Sequence, residues 1–206
     1  MNNRTISKIA GTGYLIIFFA AIFANFFALE SIIQSPMETV MNNDLIIRIG
    51  IIAFLITVVF DVVVAWALNE LYKNHSLTNL STYFRMMHAA IMGVAIFALY
   101  LALKAKTQDD ILIQVETFNI IWLIGLFFFG LHLILLSRIA NIPKFIRVFL
   151  AIAGIAYLSD TIAHFLLSNY SNHTDIFLAL VAIPSILGEM SFTVWLLIKG
   201  GKLRKG

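Results

Sequence analysis

Six long apolar stretches constrain the fold of this chain more than any other feature of its sequence. Each is about 20 residues long, the length at which an α-helix crosses the hydrocarbon core of a bilayer. Because no water reaches the backbone at that depth, each stretch is expected to be helical. The sequence therefore predicts an all-α, polytopic membrane protein, with spans at residues 9–29, 45–68, 83–103, 117–136, 145–167 and 176–198.

The composition supports this prediction and excludes several classes of protein. Only 12% of the residues are charged and the mean hydropathy is +0.93, whereas soluble domains carry roughly 25% charged residues. The absence of cysteine excludes disulfides, iron–sulfur clusters and thiol catalysis. No Gly-x-Ser-x-Gly elbow and no phosphate-binding glycine loop is present. We expect one transmembrane domain over residues 1–206, surrounded by membrane lipids.

The positions of Lys and Arg predict the orientation in the membrane. Of the 14 such residues, three would lie outside if both termini were cytoplasmic: Arg48, Lys104 and Lys106. The other eleven would lie inside: Arg4, Lys8, Lys73, Arg85, Arg138, Lys144, Arg147, Lys199, Lys202, Arg204 and Lys205. Basic residues favour the cytoplasmic side. They mark membrane edges here, and we expect no nucleic-acid partner. The prediction is a bacterial inner-membrane protein with both termini in the cytoplasm.

Two segments of the chain resemble each other. Residues 46–69 and 145–168 align without a gap, and the alignment places Arg48 on Arg147 and Asp61 on Asp160. Because each half of the chain has three spans, true repeats at 1–106 and 107–206 would have opposite orientations in the membrane, as in many secondary transporters. The alternative is that apolar helices align through composition alone, and both interpretations remain open.

Ionisable residues inside the predicted spans are the candidates for function, since they are costly in a bilayer. One set lies near the inner leaflet: Asp61, Arg85, His88, His132 and Glu189. We expect these side chains to face a shared interior. Asp61 and Arg85 are candidates for a structural ion pair, or Asp61 for a carboxylate that binds a proton or another cation.

The histidines permit several interpretations. His88 and His132 lie at matching depth on consecutive spans, as axial ligands of a haem would, or as zinc ligands together with Asp61 and Glu189. Asp160 and His164 are four residues apart and share a helix face, which suits a hydrogen bond, a proton relay or two metal ligands. No dense motif such as His-Glu-x-x-His is present. Hydrogen-bonded packing histidines are the alternative.

Three stretches carry a resemblance to a known family. They are the head Arg4–Tyr14, the turn Ser137–Pro143 leading into Ala153–Tyr157, and Glu189 followed by Trp195–Gly200. Together they resemble the bacterial membrane proteins known as domain of unknown function 4386. The resemblance implies a multi-span inner-membrane protein and brings no activity with it. No motif of that family matches His88, His132 or His164.

Three functional hypotheses follow. The leading one is a protein that binds or moves a small solute or ion, in which Asp61 and Asp160 are paired coupling carboxylates and the other candidates line a central site. The second is an intramembrane metal-dependent hydrolase acting on lipid-like substrates, or a haem-binding protein. The third is a non-catalytic membrane partner or scaffold. We favour a protein that is not an enzyme and has no cofactor, and a homo-oligomer is compatible with the sequence.

Overall fold

The computed structural model describes residues 1–201, which form a bundle of six long helices. These are α1 (Asn3–Gln34), α2 (Asp44–Tyr72), α3 (Thr78–Ala102), α4 (Gln108–Ile139), α5 (Lys144–Leu166) and α6 (Tyr170–Ile198). A short helix, Pro36–Asn42, lies between α1 and α2. No residue from 1 to 201 lies in a β-strand. Each of the six is long and apolar enough to cross a membrane, so the predicted all-α membrane fold is confirmed.

The helices extend beyond the predicted spans, into three segments that the hydropathy pattern leaves outside the membrane. The head before residue 9 is helical from Asn3, the connection at 31–44 contains helical turns, and the predicted loop at 104–116 is helical from Gln108. Apolar runs mark the part of a helix in hydrocarbon, while polar caps set its ends. Thus Asn2 Oδ1 accepts from the Thr5 amide at 2.8 Å, and Thr107 Oγ1 accepts from the Asp110 amide at 3.2 Å.

The six helices form a closed ring in chain order. Each packs on the helix before and after it, and the last part of α6 packs on α1. Both ends of the described chain therefore meet at one face of the bundle, which we call the terminal face; the opposite side is the far face. The basic residues Lys202, Arg204 and Lys205, predicted as a cytoplasmic tail, lie outside the described residues.

Hydrogen bonds close the ring at the terminal face. The Arg4 guanidinium donates to the carbonyls of Leu196 at 3.1 Å and Gly200 at 2.9 Å, and also to that of Leu197. Ser7 Oγ donates to the Leu196 carbonyl at 2.8 Å. The last carbonyls of a helix have no partner within the helix. Side chains of α1 therefore satisfy the end of α6.

The core differs between the two halves of the bundle. In the half at the terminal face, α1, α2, α4, α5 and α6 all contribute to one buried apolar cluster, with Leu133, Leu150 and Phe192 inaccessible. The cluster in the far half is built from α1 to α4 and the connection after α1. Side chains at the far ends of α5 and α6 are exposed, including Leu166 at 76% and Ile176 at 66%. The α5–α6 hairpin is thus packed into the bundle mainly at the terminal face.

Irregular turns interrupt α1 and α6. The π-helical segment of α1 is Ala24–Leu29, and that of α6 is Ile186–Met190. In α6 the π turn follows Pro184, whose ring removes a backbone donor. Single π turns are frequent at functional sites, and the turn in α6 carries Glu189.

Candidate functional site

The centre of the candidate site is Arg85 of α3, which is the largest of the fully buried side chains and is 1% exposed. Its Nη2 lies 2.6 Å from Asp61 Oδ1 of α2, and its Nη1 donates to the Tyr14 hydroxyl of α1 at 2.7 Å. The guanidinium carbon also lies 4.6 Å from the Tyr14 ring centre and 5.2 Å from that of Phe129 on α4. One side chain therefore contacts three other helices, and the Asp61–Arg85 ion pair is present.

His132 of α4 is held by the same cluster. Its Nε2 lies 3.3 Å from Arg85 Nη1, and its Nδ1 lies 3.0 Å from the Ser81 carbonyl oxygen. A guanidinium only donates and a carbonyl only accepts. Nε2 is therefore the acceptor and Nδ1 carries the hydrogen, so the partners fix His132 as a neutral imidazole.

His88 lies one turn further along α3. Its Nδ1 is 3.0 Å from the Gly125 carbonyl oxygen of α4, and its Nε2 is 3.6 Å from Asp61 Oδ2. The Phe129 ring lies near both histidines, at 4.9 Å from the His88 ring centre and 5.8 Å from that of His132. Asp61 thus has one oxygen facing Arg85 and the other facing His88.

Glu189 brings a second carboxyl group to this region. It lies half-buried on the π turn of α6, beside the Tyr157 hydroxyl of α5, and within electrostatic range of Arg85 and Asp61. Asp61, Arg85, His88 and His132 of the predicted inner set are therefore joined by direct contacts, and Glu189 lies beside this group. Through Tyr14, Asp61, Arg85, His132, Tyr157 and Glu189, the region includes side chains from all six helices.

Asp160 and His164 do not join this cluster. Asp160 Oδ1 accepts from the Tyr170 hydroxyl at 2.6 Å, and the His164 ring lies 4.7 Å from the Tyr170 ring, edge to face. The hydrogen-bond partner of Asp160 is thus Tyr170, at the start of α6. It is not His164, which the four-residue spacing suggested as the partner. Asp61 is buried and paired with an arginine, whereas Asp160 is half-buried. Asp61 and Asp160, which the alignment places on each other, therefore have different surroundings. The inverted repeat stays a prediction.

The histidines are not arranged as a shared ligand set. Within residues 1–201, no group of three or more His, Asp or Glu side chains is placed to hold a metal ion. Arg85 lies 3.3 Å from His132 Nε2, where its positive charge opposes a bound cation. His88 Nδ1 faces a carbonyl, and His164 lies near the far face. The interpretations of His88, His132 and His164 as haem or zinc ligands are not supported by this geometry.

Sequence reasoning missed several members of the cluster. Tyr14 and Phe129 look like ordinary aromatic residues of a membrane span, and Ser81 lies where the sequence predicts a connection. The Gly125 carbonyl is a backbone group, so no side-chain pattern marks it. Beside His132 lies a cavity of about 10 Å³, bordered by Ser81 and Thr78. A cavity of this size holds about one water molecule.

These observations define the protein as a six-helix membrane protein with a buried, charged hydrogen-bond cluster in its interior. The chain belongs to the family described as domain of unknown function DUF4386, whose model matches residues 9–200. It is also similar to an uncharacterised protein of the archaeon Archaeoglobus fulgidus, at 28% identity over 160 residues, which is 75% of this chain and 85% of that protein. No solved structure matches the chain.

Proposed function

We propose that this protein binds a small cation in its interior and moves it across a bacterial cytoplasmic membrane, with both termini in the cytoplasm. The observation that carries the proposal is the buried cluster around Arg85, in which Asp61 and His88 lie together inside the bundle. Ionisable groups within a membrane protein are costly and commonly mark ion pathways or proton relays.

The charges of the cluster favour a cation over an anion. Asp61 is directly paired with Arg85 at 2.6 Å, while Glu189 is a second acid near the same guanidinium. With both acids ionised, these three side chains carry one net negative charge. A single bound cation neutralises that charge, and neutrality lowers the cost of keeping the group in a low-dielectric interior.

A small cavity lies next to the cluster, beside His132. It measures about 10 Å³, the size of about one water molecule, so it suits a water on the route to the site and not the cation itself. The polar groups available on either side form a series. Asp160 and Tyr157 lie three residues apart on α5 and lead from the far face toward Glu189. His132 and Ser81 lead from Arg85 toward the terminal face.

The experiment is a flux measurement on protein reconstituted into liposomes. The vesicles contain a fluorescent pH indicator or a sodium indicator, and an imposed gradient of the cation drives its entry. Wild-type protein is compared with Asp61→Asn and Glu189→Gln. The matched controls are Asp109→Asn and Glu116→Gln, because these acids are exposed.

We expect wild-type protein to admit one of the two cations faster than protein-free vesicles, and each interior variant to lower that rate at least tenfold. The control variants should match wild type. If wild-type vesicles leak no faster than empty ones, or if the interior variants fold and transport normally, the proposal is wrong. If the interior variants do not fold and wild type shows no cation flux, the result would support the scaffold hypothesis, in which the polar groups only connect helices.

A further inference from the structure

We propose that the bound cation is a proton, and that it is held between His88 Nε2 and Asp61 Oδ2. The inference names the occupant of the proposed transport site, so its role in transport rests on the proposed function. The proton site itself rests on the donors and acceptors around His88, and it can be tested without any measurement of transport.

The first step concerns His88 Nδ1. It lies 3.0 Å from the Gly125 carbonyl oxygen, an acceptor that has no hydrogen to give. Nδ1 must therefore carry a hydrogen for this contact to be a hydrogen bond. A neutral imidazole has only one ring hydrogen, so Nε2 of neutral His88 is bare.

The second step concerns the group that Nε2 faces. Asp61 Oδ2 lies 3.6 Å away, and an ionised carboxylate oxygen is also only an acceptor. A bare nitrogen opposite an ionised carboxylate places two lone pairs against each other in a low-dielectric interior, where such repulsion is poorly screened. One proton, on either atom, makes the contact attractive. At 3.6 Å the contact is that of an ion pair, and a small side-chain rotation shortens it to a hydrogen bond.

The contacts of the neighbouring histidine, His132, exclude it as the proton site. His132 Nε2 accepts from Arg85 at 3.3 Å, and Nδ1 already donates to the Ser81 carbonyl. A second hydrogen on His132 would displace the Arg85 donor and set an imidazolium against a guanidinium. The two histidines therefore differ in protonation although they lie at similar depth and contact the same Phe129 ring.

Charged and titratable groups from all the surrounding helices act on this proton. Arg85, on the same helix as His88, disfavours a positive imidazole but holds Asp61 by its other oxygen. Tyr14 of α1 and His132 of α4 act through Arg85, as its hydrogen-bond partners. Glu189 of α6 lies further out and acts through its charge, and the neutral Tyr157 of α5 acts on Glu189 as its neighbour.

Arg85 also has a donor available when Asp61 is neutralised. Its Nε–H is buried and has no hydrogen-bond partner among residues 1–201. When the proton moves from His88 Nε2 to Asp61 Oδ2, the carboxyl group becomes neutral and attracts the guanidinium less. Glu189 is then the remaining acid near Arg85. The transfer breaks one N–H bond and forms one O–H bond, and no other reactant is needed.

The test is nitrogen NMR of protein labelled with ¹⁵N-histidine, in detergent micelles near neutral pH. The ring nitrogens report directly whether each one carries a hydrogen. His88→Gln assigns the His88 signals by their loss, and His75→Gln is the matched control, since His75 is exposed. Infrared spectra of wild type and Asp61→Asn report whether the Asp61 carboxyl is protonated.

We expect one of two results in wild-type protein. Either His88 has hydrogens on both nitrogens, and loses the second in Asp61→Asn, or His88 is neutral and an infrared band of a protonated carboxyl disappears in Asp61→Asn. A neutral His88 beside an ionised Asp61 would overturn the proposal, as would a doubly protonated His132. Should Asp61→Asn fail to fold, the wild-type and His88→Gln nitrogen spectra still show whether His88 is doubly protonated. The Asp61 carboxyl is then assigned by its infrared shift on ¹³C-aspartate labelling.

The result of the NMR and infrared measurements is distinguishable from the result of the flux experiment. A protein that holds the proton but moves no cation in liposomes would retain the site and refute the transport function. A protein that moves sodium while His88 is neutral and Asp61 is ionised would retain the transport function and refute the proton as its cargo.

Discussion

The buried Asp61–Arg85 pair leads to a prediction about stability that can be tested by a double-mutant cycle. Asp61→Asn removes the charge that compensates a guanidinium only 1% exposed. Breaking a buried pair by removing one partner costs about 3–5 kcal/mol, because the other charge stays buried without compensation. Arg85→Met costs a similar amount for Asp61, and about 1–3 kcal/mol more because His132 Nε2 loses its donor.

The double variant Asp61→Asn/Arg85→Met removes both charges together. Only the loss of the contacts to Tyr14 and His132 then remains, so we expect it to be more stable than Arg85→Met alone. The free energy of unfolding is measured by steric trapping or by SDS titration in mixed micelles. A double variant whose loss equals the sum of the two single losses would refute the reasoning, because the two charges would then be energetically independent.

The chain offers a matched control for this cycle. Asp44 and Arg48 form an ion pair at 2.8 Å, at i and i+4 on α2, and their side chains are 46% and 56% exposed. An exposed helical pair of this kind contributes about 0.3–0.5 kcal/mol. Asp44→Asn and Arg48→Met should therefore change the free energy of unfolding little. The comparison separates the effect of burial from the chemistry of the Asp–Arg contact.

The remaining predictions concern helix contacts. Arg4→Ala should lower the stability of the bundle by about 1–2 kcal/mol, since the end of α6 loses its donors, and Lys8→Ala, at an exposed position on the same helix, should not change the melting temperature in detergent. Gly154→Leu should unfold the protein or lower its melting temperature markedly, because a Cβ at this position would stand 2.6 Å from a backbone oxygen of α4. Tyr170→Phe removes the donor to Asp160 and should cost about 1 kcal/mol or less, with faster hydrogen exchange confined to the far end of α5 and the start of α6.

The sequence predicts positions along the membrane normal better than positions around a helix. A helix rises 1.5 Å per residue, so the depth of Asp61, Arg85 and His132 can be counted from the ends of the apolar runs. Which of them touch depends on how each helix is rotated in the ring, and the apolar pattern of a membrane helix says little about that rotation. The sequence therefore leaves the Asp61–Arg85 ion pair as one of two interpretations, and nothing in it marks Ser81 as a member of the cluster.

The Asp160 prediction shows the same limit from the other side. Its spacing to His164 places both on one face of α5, which is correct, but a shared face does not make a contact. The donor comes instead from Tyr170, in the 3₁₀ turn Tyr170–His173 with which α6 begins. Contacts made by irregular segments depend on the turn that positions them, and neither hydropathy nor helical spacing reports that turn.

The location of the Arg85 cluster within the two halves of the bundle bears on how a cation would reach it. In the half at the terminal face, five helices contribute to the buried apolar cluster. The apolar cluster of the far half contains no residue of α5 or α6. Pro184 and the π turn of α6 lie between these two halves of the bundle, and Glu189 lies on that turn. A change in charge at Glu189 therefore acts on the π turn that follows Pro184, and prolines and π turns are where helices commonly bend. On the proposed transport function, a bend of α6 at this turn would move the hairpin of α5 and α6 while the Arg4 contacts keep the terminal face closed. We then expect access to the cluster to open from the far face first.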